Sequence, residues 1–327
     1  MANVAKSLIW NASTSKWAYT DGSAITAGTA SAISLVATQS IKIDGSKSTD
    51  TVFALTAGTK STQITATLIG GAGGDTLTAV STNKAWFNGG AGDDNITGGK
   101  EEDTFELTGT FGTDTLASVG LAGKTDTIKI GTSFSNLSFS GFDAGAKTLT
   151  MSVNGYGDAK IGFATATAAS MEKEAKFITS DKTFYVQVAN AATNFASSGA
   201  GTTEYVRQWN ASGSKFTGFG KYDTLIGGTG NDTFEYNKDI AVINGGTDST
   251  DDVVVLTSAV GQTIDLTNAQ FTSIEVATVT STVSVNYILR GLTTADKLNG
   301  SGGTDSIWSR GGNDAMKGGN GVDTFWF

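Results

Sequence analysis

The sequence predicts an all-β protein made of right-handed parallel β-roll or β-helix stacks, with a divergent, β-rich and sandwich-like segment in the middle. Gly accounts for 43 of the 327 residues, and a nine-residue pattern of glycines, one aspartate and one large apolar residue recurs along the chain. Short stretches rich in Thr, Val, Ile and Phe alternate with Gly, Asn and Asp, as strands alternate with turns. A hydrophobic content of 39% with 16% charged residues is typical of a folded chain.

The residue types that the chain lacks narrow its chemistry. It contains no His and no Cys. A Ser-His-Asp triad, a His-ligated zinc ion, a disulfide and a thiolate metal site are therefore excluded within this sequence. A bound metal would be a hard cation held by oxygen atoms, which indicates Ca²⁺ or Mg²⁺. We expect no enzymatic activity, although carboxylate, Lys or Tyr chemistry stays open.

Charge and hydropathy exclude further classes of partner. The net charge is −9 and the pI about 4.6, so nucleic acid is not an expected partner. No stretch approaches the roughly 18 apolar residues that a membrane span needs. The N-terminus has no apolar run typical of a signal peptide, so an export signal is expected elsewhere. The acidic residues cluster in glycine-rich turns, which favours cation binding.

The nine-residue repeat is the most specific signal in the sequence. Full matches to G-G-x-G-x-D-x-U-x, in which U is a large apolar residue, begin at Gly70, Gly89, Gly227 and Gly318. Degenerate copies continue the same spacing around them. At the C-terminus four copies run without a gap, with their aspartates at Asp296, Asp305, Asp314 and Asp323.

The residues of this pattern explain its structure. Glycines permit positive φ and close backbone approach, so six residues can form a tight turn. Turn carbonyls and the aspartate carboxylate then provide the all-oxygen shell that Ca²⁺ prefers, and three residues form a short strand. Two repeats make an 18-residue coil, and ions lie between turns two repeats apart. The predicted calcium ligands are Gly70, Gly71, Gly73, Asp75, Gly89, Gly90, Gly92, Asp94, Gly98, Asp103, Asp223, Gly227, Gly228, Gly230, Asp232, Gly245, Gly246, Asp248, Asp251, Asp296, Gly300, Gly303, Asp305, Gly312, Asp314, Gly318, Gly319, Gly321 and Asp323.

These motifs resemble the RTX (repeats-in-toxin) calcium-binding nonapeptide family. The resemblance covers roughly residues 60–130, 218–256 and 291–327. It implies a parallel β-roll, Ca²⁺ in the turns, and export by a type I secretion system that reads an uncleaved C-terminal signal. Residues 322–327 resemble the short apolar segment with which such substrates end. Members of the family often carry a longer tail after the last repeat.

The repeats divide the chain into six segments. These are an N-terminal β segment (1–60), a first RTX-like block (61–131), a divergent β-rich insert (132–217), a second RTX-like block (218–256), β-helix-like rungs (257–290) and a C-terminal RTX-like block (291–327). Within the insert, the pattern predicts antiparallel strands over 134–142, 148–153 and 183–188. An Ala-rich stretch over 164–177 is the one predicted helix.

Three function classes follow from these observations. The leading hypothesis is a secreted, calcium-binding structural protein of the bacterial cell surface, namely a surface-layer, filament or sheath subunit that assembles with copies of itself. The alternative is an adhesin that binds a cell-surface glycan through segment 132–217, with Tyr156, Tyr185, Tyr205 and Trp209 as stacking residues. The third is a His-independent enzyme acting on polysaccharides. The first two place the protein outside the cell.

Overall fold

A computed structural model describes most of the chain. The described residues are 6–11, 16–19, 32–37, 41–47, 54–59, 65–79, 84–164, 174–189, 193–197, 202–209, 213–220, 222–247, 251–258, 260–281 and 285–327. The chain divides into two compact units, unit 1 (Met1–Val186) and unit 2 (Gln187–Phe327). This boundary falls inside segment 132–217, and the six-segment division stays a prediction about repeat content.

Unit 1 is built almost wholly of short strands. They are β1 (Lys6–Asn11), β2 (Lys16–Tyr19), β3 (Ala32–Ala37), β4 (Ile41–Asp44), β5 (Ala54–Thr59), β6 (Thr65–Ile69), β7 (Thr76–Ala79), β8 (Lys84–Asn88), β9 (Asn95–Thr97), β10 (Thr104–Leu107), β11 (Gly112–Val119), β12 (Asp126–Ile130), β13 (Leu137–Asp143), β14 (Thr148–Val153), β15 (Gly157–Phe163), β16 (Ala175–Ile178) and β17 (Thr183–Ala189), which runs past the boundary. Two short 3₁₀ turns, Leu121–Gly123 and Phe134–Asn136, lie among them.

Successive strands of unit 1 alternate between two sheets. Strands β4, β6, β8, β10, β12 and β16 pair in parallel in one sheet, and β3, β5, β7, β9 and β11 do so in the other. Parallel neighbours that are not consecutive in sequence require the chain to wind around a common axis. The predicted parallel coil is therefore confirmed, and unit 1 is a stretch of β-solenoid.

Unit 2 winds in the same way. Its strands are β18 (Asn194–Ala196), β19 (Thr203–Gln208), β20 (Lys215–Thr217), β21 (Thr224–Ile226), β22 (Thr233–Glu235), β23 (Val242–Asn244), β24 (Val253–Leu256), β25 (Thr263–Asp265), β26 (Phe271–Thr272), β27 (Val276–Val279), β28 (Ile288–Arg290), β29 (Lys297–Asn299), β30 (Ser306–Trp308), β31 (Ala315–Lys317) and β32 (Thr324–Trp326). The sheet orders are β18-β20-β22-β24-β27-β29-β31, β25-β28-β30-β32 and β19-β21-β23-β26.

The period of the coil is that of two repeats. Thr224 pairs with Val242, and Ser306 pairs with Thr324, each 18 residues further along the chain. Most three-residue strands carry one buried side chain, flanked by two that are at least partly exposed. The large apolar residue of most repeats thus fills the interior of the solenoid; Met316 and Phe325 of the last two repeats are more exposed.

Identical side chains stack where coils repeat. The rings of Phe195, Phe216 and Phe234 are fully or almost fully buried, and their centroids lie 4.9 and 4.5 Å apart. Each ring makes its main contacts with the same position of the next coil. A single coil therefore has no core of its own, and burial depends on its neighbours.

The divergent segment departs from the repeat in two ways. Strands β13 and β14 pair antiparallel at two of the three predicted positions, and β17, at the third, pairs antiparallel with β16. Strand β15 was not predicted; it pairs antiparallel with β14 and in parallel with β11, so it joins β13 and β14 to the sheet of β11. The predicted helix over 164–177 is wrong at its C-terminal end, where Ala175–Ile178 forms β16. Residues 165–173 lie outside the described residues. Pairing of β16 with β12 buries Ala175 and Phe177, so tertiary contacts override the helical propensity of this Ala-rich stretch.

Candidate calcium sites in the repeat turns

Most of the described repeat turns end in an acidic residue that is buried just before the strand. Asp75 precedes β7, Asp232 precedes β22 and Asp305 precedes β30, and each is at most 1% exposed. Asp94, Asp103, Asp223 and Asp296 are buried in the same way. We call these residues turn carboxylates. A carboxylate is among the groups that are almost never fully buried without compensation, so each one needs partners.

Two sets of backbone amides provide part of that compensation. Within its own turn, Asp232 Oδ2 accepts a hydrogen bond from the N–H of Gly228 at 2.7 Å. Its Oδ1 accepts another from the N–H of Ser214 in the neighbouring coil at 2.6 Å. Asp75 and Asp103 likewise accept from Gly71 and Gly99, each at 2.6 Å. A turn carboxylate therefore closes its own turn and joins it to the coil beside it.

The links between coils form continuous ladders. In the first ladder the N–H of Asp75 donates to Asp94, and that of Asp94 donates to Asp114. The longest ladder lies in unit 2, where Thr193 donates to Ser214, Ser214 to Asp232, Asp232 to Asp252, and Asp252 to Glu275. Shorter ladders contain one or two such bonds. In each, the backbone N–H of the first residue donates to the carboxylate of the second: Ala85 to Asp103, Asp103 to Asp126, Glu204 to Asp223, Tyr287 to Asp305, Asp305 to Asp323 and Asp296 to Asp314.

The first glycine of each turn makes room for the carboxylate. A Cβ on Gly89 would overlap Oδ2 of Asp94, because that oxygen packs directly on the glycine Cα. The same overlap would arise between Gly70 and Asp75, Gly98 and Asp103, Gly227 and Asp232, Gly245 and Asp252, Gly300 and Asp305, and Gly318 and Asp323. Gly92, the third glycine of the repeat that begins at Gly89, is needed for a different reason. Its φ is +104°, and a Cβ on it would lie 2.9 Å from the carbonyl oxygen of Gly73.

Burial raises the pKa of the turn carboxyls. The pKa of Asp94 is raised to about 8, first by its burial and then by the negative charges of Asp114, Asp75 and Asp93. Burial raises the pKa of Asp114 to about 7 and that of Asp103 to about 6. Without a cation, the charged form of Asp94 is therefore disfavoured at neutral pH, and the pKa of Asp114 lies close to neutral pH.

Some carboxylate oxygens of these ladders still need a partner. Oδ2 of Asp94, Oδ2 of Asp114 and Oδ1 of Asp296 are inaccessible to solvent and have no hydrogen-bond partner among the described residues. Orphaned carboxylate oxygens beside rows of turn carbonyls suit a hard divalent cation. The residues present thus fit Ca²⁺, which would neutralise the acidic ladders.

The ligands must come from both carboxylates and carbonyls. Within the described ranges, no group of three or more acidic side chains is placed to hold a metal ion by itself. Calcium takes six to eight oxygen ligands. Stacked turns bring carbonyls close to the neighbouring backbone, as at Gly71 below Gly90 and Gly303 below Gly321. Backbone carbonyls of the glycine turns are therefore the expected source of the remaining ligands.

The structure places most of the predicted site residues together. The aspartates at 75, 94, 103, 223, 232, 296, 305, 314 and 323 all occupy ladder positions. Asp248 lies outside the described residues. Asp251 differs from the rest, because its side chain is about half exposed and forms an ion pair with Lys297. The buried ladder position next to it belongs to Asp252, which is 0% exposed.

Sequence reasoning left several ladder residues out of the predicted ligand set. Asp114, Asp126 and Asp252 all precede a buried apolar residue by two positions, which is the D-x-U signal of the repeat. These aspartates follow the preceding copies of the repeat by more than nine residues, so the nine-residue spacing did not identify them. Glu275 has no glycine turn before it, yet its Oε2 accepts the N–H of Asp252 at 3.1 Å. Only the strand register of β24 with β27 reveals this last residue.

Comparison with known proteins agrees with this geometry. The model of the RTX calcium-binding nonapeptide repeat matches the chain in four copies, over residues 86–116, 218–237 and 290–325. No curated protein and no solved structure matches the chain. Among the described residues, no helix is long and apolar enough to cross a membrane.

The fold and the turns define a class of protein, the calcium-binding β-solenoids, in which stacked coils carry acidic turns. Within that class, the chain carries the RTX calcium-binding nonapeptide repeat in three stretches, and the resemblance inferred from its glycine-aspartate repeats is confirmed. Its cofactor is Ca²⁺. When bound, the ion supplies positive charge to carboxylates that burial would otherwise keep protonated.

Asp251 and Asp252 provide a matched test of the ladder. Replacing Asp252→Asn keeps the shape of the side chain but removes a buried charge, so the calcium concentration at half-folding should rise by about tenfold, or about 1.4 kcal/mol. Asp251→Asn removes an exposed charge and should leave that midpoint unchanged. Calcium titrations followed by circular dichroism measure both. An equal shift in the two variants would contradict the assignment of Asp252 to the ladder.

The raised pKa values predict an unusual pH dependence. In chelator, the neutral carboxyls stabilise the fold fully below pH about 4, and this contribution is lost as pH rises through about 6 to 8, the folded-state pKa values of Asp103, Asp114 and Asp94. The midpoint of thermal unfolding should therefore be higher at pH 5 than at pH 8 in chelator. In calcium the order should reverse, because protons compete with the ion. A midpoint that rises from pH 5 to pH 8 in chelator would show that the turn carboxyls are not buried as neutral acids.

Proposed function

We propose that this chain is a secreted, calcium-binding structural protein of the bacterial cell surface that folds and assembles on Ca²⁺ outside the cell. The observation that carries the proposal is the set of acidic ladders, which occur in both units and link neighbouring coils. Because these ladders carry buried charge, their calcium binding is coupled to folding. Extracellular calcium sites typically have dissociation constants of about 10⁻⁴–10⁻³ M, so the chain would stay loose inside the cell.

Export through a type I secretion system is part of this proposal. It is supported by the RTX repeats and by the absence of Cys and Pro from the sequence. A chain that folds only where calcium is abundant would pass the exporter unfolded. A catalytic role receives no support from the site, because the buried acids are already engaged in joining coils.

The coil of unit 2 that contains β31 and β32 offers a surface for assembly. Strands β31 and β32 each pair with one neighbouring strand, β29 and β30. Phe325 and Trp326 are 38% and 51% exposed, whereas Ile307, which pairs with Phe325, is fully buried. An edge strand beside exposed apolar side chains is a template for pairing with a second copy of the chain.

Calcium-driven assembly can be measured directly. Stripped protein titrated with Ca²⁺ should gain β signal in circular dichroism and then scatter light as it assembles. Trp326→Lys should keep the gain of β signal but reduce the scattering, because it places a charge on the exposed edge. Val260→Lys, at a position 69% exposed in the same unit, is the control and should assemble normally. Scattering that is the same in all three proteins would argue against assembly through this edge.

One cleft keeps glycan binding as a second candidate function. In unit 1, a cleft of about 700 Å³ is lined by Ser138, Ser152, Asn154, Tyr156 and Asp158, among other residues. Hydroxyl, amide and carboxylate groups around one aromatic ring can hydrogen-bond and stack on a sugar.

A glycan array probed with the calcium-loaded full chain tests this candidate. Binding should weaken by about tenfold or more in Tyr156→Ala, because the ring would provide the stacking surface. Tyr222→Ala, which removes an exposed aromatic residue of unit 2, should bind as the parent does. Failure of the protein to bind any glycan on the array would contradict the adhesin hypothesis.

A further inference from the structure

Three strands of the solenoid end in an asparagine that is followed directly by a turn glycine. They are β8, β23 and β29, which end at Asn88, Asn244 and Asn299. The next residues, Gly89, Gly245 and Gly300, begin repeat turns. The same dipeptide thus recurs at the same place in the coil, at the junction of strand and turn.

Asparagine followed by glycine is chemically labile. The backbone nitrogen of the glycine attacks the side-chain carbonyl carbon of the asparagine and forms a new C–N bond. The bond from that carbon to the side-chain nitrogen breaks, and this nitrogen leaves as ammonia. Water then opens the resulting succinimide to aspartate or to isoaspartate, in which the backbone continues through the side-chain carbon. Glycine favours this attack because it has no Cβ to hinder the approach. The reaction needs water alone as its co-reactant.

In the folded chain, the groups that would react are held in hydrogen bonds. The N–H of Gly245 donates to the carbonyl of Thr272 at 2.9 Å, and that of Gly300 donates to the carbonyl of Lys317 at 2.8 Å. Each of these bonds joins one coil to the next. A nitrogen that donates to the neighbouring coil is not free to lose its proton and turn towards the side chain.

The asparagine side chains are held as well. Asn244 Oδ1 accepts the N–H of Gly246 at 3.0 Å, as Asn88 Oδ1 does from Gly90. Nδ2 of Asn88 also donates to Thr108 in the next coil at 3.2 Å, and Nδ2 of Asn299 donates to Thr278 at 3.1 Å. At Asn299 both reacting groups are therefore restrained by bonds between coils, and at Asn244 by one bond between coils and one within the turn.

We propose that Asn88, Asn244 and Asn299 are deamidation sites that the calcium-stabilised stack protects and that calcium loss exposes. The proposal rests on the calcium-coupled folding proposed above. Each period without calcium would convert part of the chains, so the chain keeps a chemical record of the time it has spent unfolded.

The products differ in their effect on refolding. Isoaspartate adds one backbone atom at the last residue of the strand, directly before a turn glycine that has no spare room. At Gly245, even a Cβ would overlap the carbonyl of Ser273 and the carboxylate of Asp252. A lengthened backbone would shift the glycine out of this contact, so the altered coil should fail to stack when calcium returns.

The chain contains its own reference site. Asn154 and Gly155 form the same dipeptide at the exposed hairpin between β14 and β15. Gly155 has φ +81°, and no described heavy atom lies within 4 Å of the position of a Cβ on it. This site has the same chemistry without the restraint of a stacked coil, so it should react at a similar rate with or without calcium.

The experiment incubates the full chain in calcium and in chelator and follows each site by peptide mass spectrometry, with circular dichroism recorded in parallel. In chelator, Asn244 and Asn299 should deamidate about tenfold faster or more than in calcium, while Asn154 changes little. Equal rates in the two conditions, with the β signal lost in chelator, would overturn the proposal.

A urea arm separates this proposal from the proposed function. If the chain keeps its β signal in chelator, calcium-coupled folding has failed, and protection is then tested by comparing native with urea-unfolded chains. A urea-induced rise at Asn244 and Asn299 but not at Asn154 supports protection by the stack. No rise overturns it.

A double variant tests the consequence for refolding. Asn244→Gln and Asn299→Gln together keep the amides but slow cyclisation, because the ring formed would be larger. After long incubation in chelator, this variant should regain more β signal on calcium addition than the parent chain does. Asn154→Gln is the matched control, and a recovery equal to that of the double variant would contradict a special role for the stacked sites.

Discussion

Most of the described repeat turns bury a carboxylate, and a buried charge is stable only when other groups compensate it. Here the compensation comes from backbone amides on both sides of the carboxylate, one in its own turn and one in the neighbouring coil, as at Asp232. The same side chain therefore closes a turn and sets the spacing between coils. A coil that lost its carboxylate would lose both contacts at once, which ties local turn structure to the stacking of the whole solenoid.

This constraint also explains the composition. The carboxylate packs on the Cα of the first turn glycine, as Asp94 does on Gly89, so a side chain there would push the acid out of its ladder. The three strand residues need only one large apolar side chain, because each ring or aliphatic group packs on the same position of the next coil. Small polar residues suffice elsewhere, and the chain becomes rich in Gly and Thr.

The repeat predicted most of this architecture, since both the 18-residue coil and the buried aspartates follow from nine-residue spacing. Prediction from the repeat failed where the spacing between its copies varies. Asp114 and Asp126 follow their ladder partners by 20 and 23 residues, in a region where β11 is eight residues long, and Glu275 takes an aspartate position without any glycine turn. Asp251 and Asp252 are adjacent in sequence, and only the register of β24 shows which one is buried. Register depends on pairing between distant strands, which local spacing does not encode.

The ladders also determine over how many coils the stabilising effect of one bound ion extends. In unit 2 the hydrogen bonds run from Thr193 to Glu275 and resume from Asp296 to Asp314. At the step between them, Oδ1 of Asp296 has no partner among the described residues. In a stack where each coil contacts only its neighbours, stability passes from coil to coil through such links. Backbone bonds already join this step, since β27 pairs with β29 and the N–H of Lys297 donates to the carbonyl of Glu275 at 3.0 Å. A cation at Asp296 would add a side-chain link to these bonds, so its binding would strengthen the coupling of the C-terminal coils to those before them.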